Sequence, residues 1–352
     1  MTESALLNAL IPAVVKIALI FPVLLGFVAY SVLLERKLLG RFQQRLGPTR
    51  VGPWGLLQPI ADGLKLFLKE DIIPTNADRV LFIAAPAISM ITALMAVAVI
   101  PFGPEFSILG YDMGPLQIAD VNVGLLFLFG VTSLGVYGIF LAGWSSGNKY
   151  SLLGGMRSSA QMISYELTLG LSVVVILMAV GSLRISDIVA SQGAGFWNWW
   201  IFSPQWFVVP GVIGFFLYIT SAFAETNRLP FDLPEAETEL VSGYNTEYSS
   251  MKFAMFFMAE YVNILGVCSV ATTLFLGAWH SPLPFAPFTL VPGVIWFILK
   301  VYFLVFIFIW IRATLPRFRY DQLMYFGWKI LLPLALVNII LAAIGLIASG
   351  NM

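Results

Sequence analysis

The chain has 352 residues, 59% hydrophobic and 11% charged, with 19 Lys and Arg balanced by 19 Asp and Glu. A mean hydropathy of +0.89 excludes a soluble domain and points to a polytopic helical membrane protein with no separate globular part. One cysteine, Cys268, and one histidine, His280, exclude more. Iron–sulfur clusters need several thiolates, and haem or zinc needs His or Cys ligands, so this polypeptide builds no redox centre of its own.

Apolar stretches long enough to cross a bilayer lie at roughly 11–34, 80–102, 122–144, 159–181, 206–224, 251–276, 290–313 and 325–347. The fold class is therefore all-α: a membrane domain over residues 1–352 with eight transmembrane helices and one interfacial amphipathic helix, and with long loops at about 35–79 and 225–250. The first stretch holds a proline and a lysine but no small-residue cleavage site, so it reads as a retained span, not a signal peptide.

The connections after spans one, three, five and seven carry Arg36, Lys37, Arg41, Arg45, Arg50, Lys65, Lys69, Arg79, Lys149, Arg157, Arg228, Lys252, Arg312, Arg317, Arg319 and Lys329, against only Arg184 on the opposite loops. The positive-inside rule then makes the odd connections cytoplasmic and puts both termini on the outer side.

The first connection starts with Glu35-Arg36-Lys37, continues through Arg41 to Pro53, and ends in an amphipathic stretch from Gly55 to Glu70. There Leu56, Leu57, Ile60, Leu64, Phe67 and Leu68 follow helical spacing, while Asp62, Lys65 and Lys69 mark another face. Such a helix lies in the interface, either stabilising the membrane surface or forming a lipid-level doorway for an amphiphilic substrate with a long apolar tail. Further on, Gly154-Gly155 reads as a turn, and no phosphate loop, nucleophile elbow or internal repeat is visible.

Glu166, Glu260 and Lys300 fall inside spans, where an ionised group must be paired, protonated or wetted, so they are expected to face the bundle interior. The run from Ala224 to Leu240 holds five carboxylates, Glu225, Asp232, Glu235, Glu237 and Glu239, and one cation, Arg228. Like charges so close raise one another's pKa and titrate as a group. Leu229, Phe231, Leu233, Leu240 and Val241, with Pro230 and Pro234 stiffening the backbone, predict that the segment folds back against the bundle. A buried ion pair is the alternative reading for the intramembrane charges, and a proton-carrying series is the favoured one. Cys268, in an apolar span, reads as an inert thiol, and His280 as interfacial.

Several of these segments together resemble the H subunit of NADH:quinone oxidoreductase, respiratory complex I. They are Glu35-Arg36-Lys37, Arg45-Leu46-Gly47-Pro48, Gly55 to Asp62, Ala160 to Glu166, Ala224 to Tyr248 and Trp310 to Leu323. The resemblance covers nearly the whole chain in order. It departs mildly at Ala236 and Thr238, where Gly and Ser often stand between the loop acids.

The resemblance implies a subunit at the heel of the complex that forms much of a quinone chamber and its entrance. Chamber positions would be Glu35, Arg36, Arg45, Ala61, Asp62, Phe231 and Asp232. A proton relay would correspond to Glu166, Glu225, Asp232, Glu235, Glu237, Glu239, Glu247 and Glu260. Lys300 matches a family lysine without an assigned role.

It further implies quinone as substrate, with FMN and iron–sulfur clusters in partner subunits and neither metal nor catalytic residue in this chain. The implied partners are the quinone-site and terminal iron–sulfur subunits of the peripheral arm, small membrane-arm subunits, antiporter-like subunits and membrane lipids, with no nucleic acid. The setting would be a bacterial plasma membrane. Two alternatives stand beside it, the membrane anchor of a related hydrogenase complex and a stand-alone cation/proton transporter.

Overall fold

A computed structural model describes residues 3–108, 111–202, 207–233 and 241–349. The helices are α1 (Glu3–Phe42), α2 (Gln58–Leu68), α3 (Arg79–Val97), α4 (Gly124–Ser145), α5 (Lys149–Val180), α6 (Ile185–Ala190), α7 (Val208–Glu225), α8 (Ser250–Phe275), α9 (Gly293–Thr314) and α10 (Tyr320–Ala348). All but α2 and α6 are long and apolar enough to cross a bilayer, which gives the eight spans expected and an all-α architecture. The exception among the described residues is a two-stranded antiparallel hairpin, β1 (Glu105–Ile108) with β2 (Tyr111–Pro115), between α3 and α4. An α-helix satisfies its own backbone hydrogen bonds, so a hydrocarbon setting favours it over any open sheet.

The caps follow from sequence. Asp78 precedes α3 and its carboxylate accepts from the amides of Val80 and Leu81 at 3.0 and 3.3 Å. Asn148 does the same for α5, accepting from the Tyr150 amide at 3.0 Å. Because that cap holds, α5 starts at Lys149, well before the apolar run begins, and Gly154-Gly155 lies inside a helix. The turn expected there is wrong. A Cβ on Gly154 would meet the Cα of Gly243 at 2.7 Å, and one on Gly155 would meet the Cα of Gly143 at 3.3 Å. The two glycines thus let α5 close against α4 and against the turn at Gly243, the close backbone approach that small residues permit between membrane helices.

α3 packs on α4, α4 on α5, α5 on α7 and α10, and α3 on α8, while α1 lies against α8 and α9. The core between them is apolar and fully buried at Leu169, Val173, Ile176, Leu274 and Phe275. α10 contains one π turn, Phe326–Leu331. There Gly327 leaves room for the Tyr165 ring, whose hydroxyl donates to the Leu323 carbonyl at 2.9 Å.

The odd connections meet at one end of the bundle, here the basic end. The Asp78 amide bonds the Ser145 carbonyl at 3.0 Å, and the Phe318 amide bonds the Pro230 carbonyl at 3.1 Å. α2 is pinned to the start of α8, with the Ser250 hydroxyl donating to the Leu66 carbonyl at 3.0 Å and Lys252 pairing with Asp71 at 2.9 Å. Its apolar face is uncovered by the rest of the chain, Phe67 being 70% and Leu68 81% exposed, as an interfacial helix requires.

Candidate functional site

Four elements bring charged groups together below the basic end. Glu35 is on α1, Arg228 just beyond α7, Glu260 and Tyr261 on α8, and Arg312 in the last turn of α9. Glu35 accepts from Arg228 Nη1 at 2.9 Å, from the Tyr261 hydroxyl at 2.7 Å, and from Arg312. The same Arg228 guanidinium reaches the other way, its Nε lying 2.6 Å from Glu260 Oε1, and its plane sits 4.7 Å from the Tyr261 ring centroid. The Glu35 and Arg228 side chains are only 7% and 8% exposed. Two carboxylates and two guanidiniums leave the hub neutral overall, which limits the cost of holding four charges at this depth.

Glu260 also opens onto a small cavity of about 50 Å³ between α3, α4, α5 and α8. Glu225, Asn227, Asn263, Ser89, Thr92 and Thr132 line it. Ser133, next to Thr132, donates to Glu166 on α5. A second small cavity of about 30 Å³ lies past Glu225 toward Tyr218. Hydroxyls, amides and carboxylates facing a common space are the lining that holds water and lets an acid exchange protons.

Three further groups flank this line. Arg36 donates to Asp62 at 2.5 Å, and Gln58 holds the other oxygen at 2.9 Å, which ties the end of α1 to α2. Asp232 pairs with Arg317 at 2.9 Å. Its neighbour Phe231 sits between Tyr165 and Phe318, with ring centroids 5.5 and 5.6 Å away. Gln161 Nε2 donates to the carbonyls of Ala224 and Phe231, both at 2.8 Å, so one α5 side chain holds the entry to the acidic run. Folding back against the bundle is thereby seen for Arg228 to Leu233, where Phe231 and Leu233 are buried.

A profile of the NADH dehydrogenase family matches residues 15–343. The chain belongs to that family. It is 56% identical to the second of the NADH-quinone oxidoreductase H subunits of Koribacter versatilis (strain Ellin345), covering 95% of this chain and 97% of that protein. It is 54% identical to the first of the NADH-quinone oxidoreductase H subunits of Geobacter sulfurreducens, covering 95% and 94%, and 51% identical to the NADH-quinone oxidoreductase H subunit of Rhodospirillum rubrum, covering 93% and 91%. The expected resemblance to the H subunit of this enzyme complex thus holds over nearly the full length, and family and spans together make the chain an integral membrane protein.

Within this family member the expected positions divide into three groups. Glu35, Glu225 and Glu260 come together through Arg228 and the shared cavity, with Glu166 beside it. Arg36 and Asp62 form a pair on the rim, with Ala61 on the same helix, and Phe231 and Asp232 lie at the entry of the acidic run. Arg45 is exposed and donates to Gln43 at 2.7 Å, and Glu247 accepts from Asn148 at 2.8 Å in a shallow polar bowl at the basic end, so neither adjoins the hub. Glu235, Glu237 and Glu239 lie outside the described residues. Among the described residues no three His, Cys, Asp or Glu side chains gather as metal ligands, and Cys268 is fully buried.

Tyr261 and Ser133 enter the site without any mark in the local sequence, Gln161 and Arg312 lie in segments that carry the resemblance but were given no role, and Arg228 stands out as the single cation of its run. That count was the available signal: one cation amid five acids is where a shared partner belongs.

Proposed function

We propose that this chain forms the quinone chamber and its lipid-side entrance in a proton-pumping NADH–quinone oxidoreductase, and that it passes the charge change of quinone reduction into the membrane arm through its carboxylates. The observation that carries this reading is the continuous series Glu35, Arg228, Glu260 and Glu225, in which one guanidinium serves two acids and the second acid faces a polar cavity. Quinone reduction places negative charge near the rim. The Arg36 and Arg312 guanidiniums face that charge, and any shift of Arg312 toward it alters the balance at Glu35. Because Arg228 cannot lose its proton, the balance is restored at Glu260 or Glu225 by proton uptake from the cavity. Asp232 extends the series toward the chamber, and Glu235, Glu237 and Glu239 belong to the same relay in this reading.

In this reading the apolar face of α2 lies in the headgroup layer, where a long-tailed quinone enters. The basic end faces the cytoplasm of a bacterial cell, both termini lie outside, and residues 1–352 act as one membrane domain. The iron–sulfur and FMN chemistry belongs to peripheral-arm subunits, and the onward proton path to small and antiporter-like membrane subunits.

Glu260→Gln in the assembled complex tests the series. Electron transfer from NADH to a soluble artificial acceptor stays unchanged, while proton uptake driven by quinone reduction falls about tenfold or more. Full pumping in this variant sinks the relay. The double change Glu237→Gln with Glu239→Gln is expected to impair quinone reduction or pumping without loss of assembly.

A further inference from the structure

The cavity beside Glu260, about 50 Å³, and the one toward Tyr218, about 30 Å³, share a wall. Among the described residues both are lined by Ala93, Thr132, Glu225 and Asn263. Asn263 follows Glu260 by three residues on α8, one turn further from the basic end, so the two side chains share a helix face. Each volume is room for about one to three waters.

Most polar side chains around this wall are already committed. The Thr132 hydroxyl donates to the Phe129 carbonyl at 3.1 Å and the Thr92 hydroxyl to the Ile88 carbonyl at 3.0 Å, each within its own helix. Asn227 accepts from Gln161 at 3.2 Å, and its amide lies 3.6 Å from the Met162 sulfur. The Tyr218 hydroxyl donates to the Val267 carbonyl at 3.2 Å. Glu225 and Asn263 differ: neither side chain hydrogen-bonds to any described residue. Ser89 shares that property but lines the first cavity alone. A carboxyl and a carboxamide inside spans without a protein partner are solvated by what shares their cavity, and in a space this small that is water.

The two groups differ in what they can do with that water. A carboxyl takes up and releases a proton. An amide does neither, but it orients a water by donating from Nδ2 and accepting at Oδ1. Glu225 and Glu260 are not hydrogen-bonded to each other, so a proton passing between them needs a bridge. We propose that Asn263 is a positioning residue that holds the bridging water between Glu260 and Glu225. One carboxyl gives a proton to the water and the water gives one to the other carboxylate, so the water ends as it began. This inference rests on the relay proposed above and names the side chain that orients its water step.

The test uses the assembled complex in proteoliposomes, with assembly read on native gels and proton uptake read per quinone reduced. Asn263→Leu, close to asparagine in shape but without a polar atom, lowers uptake about tenfold, and Asn263→Ser, which restores a hydroxyl and leaves room for water, recovers most of it. Asn263→Val reads the same step should leucine prevent assembly. High-resolution cryo-electron microscopy of the unaltered complex shows ordered water density between the Asn263 amide and the Glu225 carboxyl. Unchanged uptake in Asn263→Leu overturns the inference, as does an equal loss in Asn263→Ser or a protein group in place of that water. Glu260→Gln keeps the two readings apart. Full pumping there sinks the relay itself, whereas blocked pumping there beside normal uptake in Asn263→Leu sinks only the role of Asn263.

Discussion

The two ends of this bundle bury charge in opposite ways. Near the basic end, Glu35, Arg228, Glu260 and Arg312 satisfy one another with formal charges, and one of the acids faces a polar cavity. Toward the other end, Lys300 on α9 donates to the carbonyls of Leu276, Ala278 and His280 at 2.6, 2.9 and 2.8 Å and lies 4.0 Å from the Trp199 ring. Its partners are carbonyls of the connection just beyond the C-terminus of α8, where a cation also complements the helix dipole. Backbone carbonyls cannot take up a proton, so the partners of Lys300 carry no proton of their own. Carboxylates can, so the hub offers more than one place for a proton. In the proposed relay, what separates a switch from a staple is the chemistry of the partners and not position in the bilayer.

The strongest break in that comparison is Arg228→Met. It strips the shared cation from Glu35 and Glu260 and leaves Glu35 with Arg312, a loss of about 3–5 kcal/mol for an uncompensated buried charge. The amount of assembled complex in the membrane should fall sharply, and the assembled remainder should reduce quinone slowly. Wild-type assembly together with wild-type turnover would show that the two carboxylates do not depend on this guanidinium.

Lys300→Met sharpens the same contrast from the other side. Three carbonyls lose a donor, at about 1–3 kcal/mol, and the α8 to α9 connection loosens. Thermal unfolding of the complex should shift down while the number of protons moved per NADH stays constant. A lower proton yield at unchanged thermal stability would place Lys300 among the switching groups.

Much of this architecture is legible in the amino-acid order alone. The spans follow from apolar runs longer than a bilayer is thick, and Glu166, Glu260 and Lys300 stand out because hydrocarbon punishes isolated charge. Their partners are not legible. Glu35 lies 193 residues from Arg228 and 277 from Arg312 in sequence, so their meeting is a product of helix packing and leaves no local pattern. Tyr261 looks like any span aromatic until α1 is laid against α8. Gly154-Gly155 misleads because a glycine pair breaks helices in water, whereas between membrane helices it marks close approach. The π turn at Phe326–Leu331 and the hairpin at Glu105–Pro115 give no periodic signal at all.

The smallest expected effect lies at the outer rim of the Lys300 end, where charges pair in water and not in hydrocarbon. Asp120 accepts from Arg184 Nε at 3.0 Å and from the Ser186 hydroxyl at 2.7 Å. Burial opposes its ionisation, but the hydrogen bonds from Arg184 and Ser186, with the Arg184 charge, outweigh burial and hold the carboxyl below its ordinary 3.8. A carboxyl depressed on folding adds stability that is complete above 3.8 and is lost as pH falls through the lower folded value. Asp120→Asn should therefore lower the melting temperature slightly near neutral pH, with the gap to wild type closing as pH drops below 3.8. Quinone reduction and pumping should be untouched, because the partners of this pair among the described residues, Ser186 and Asp187, lie away from the Glu35 hub. A melting-temperature gap that stays constant across the whole acid range would mean that the substitution acts through the shape of the side chain and not through its charge.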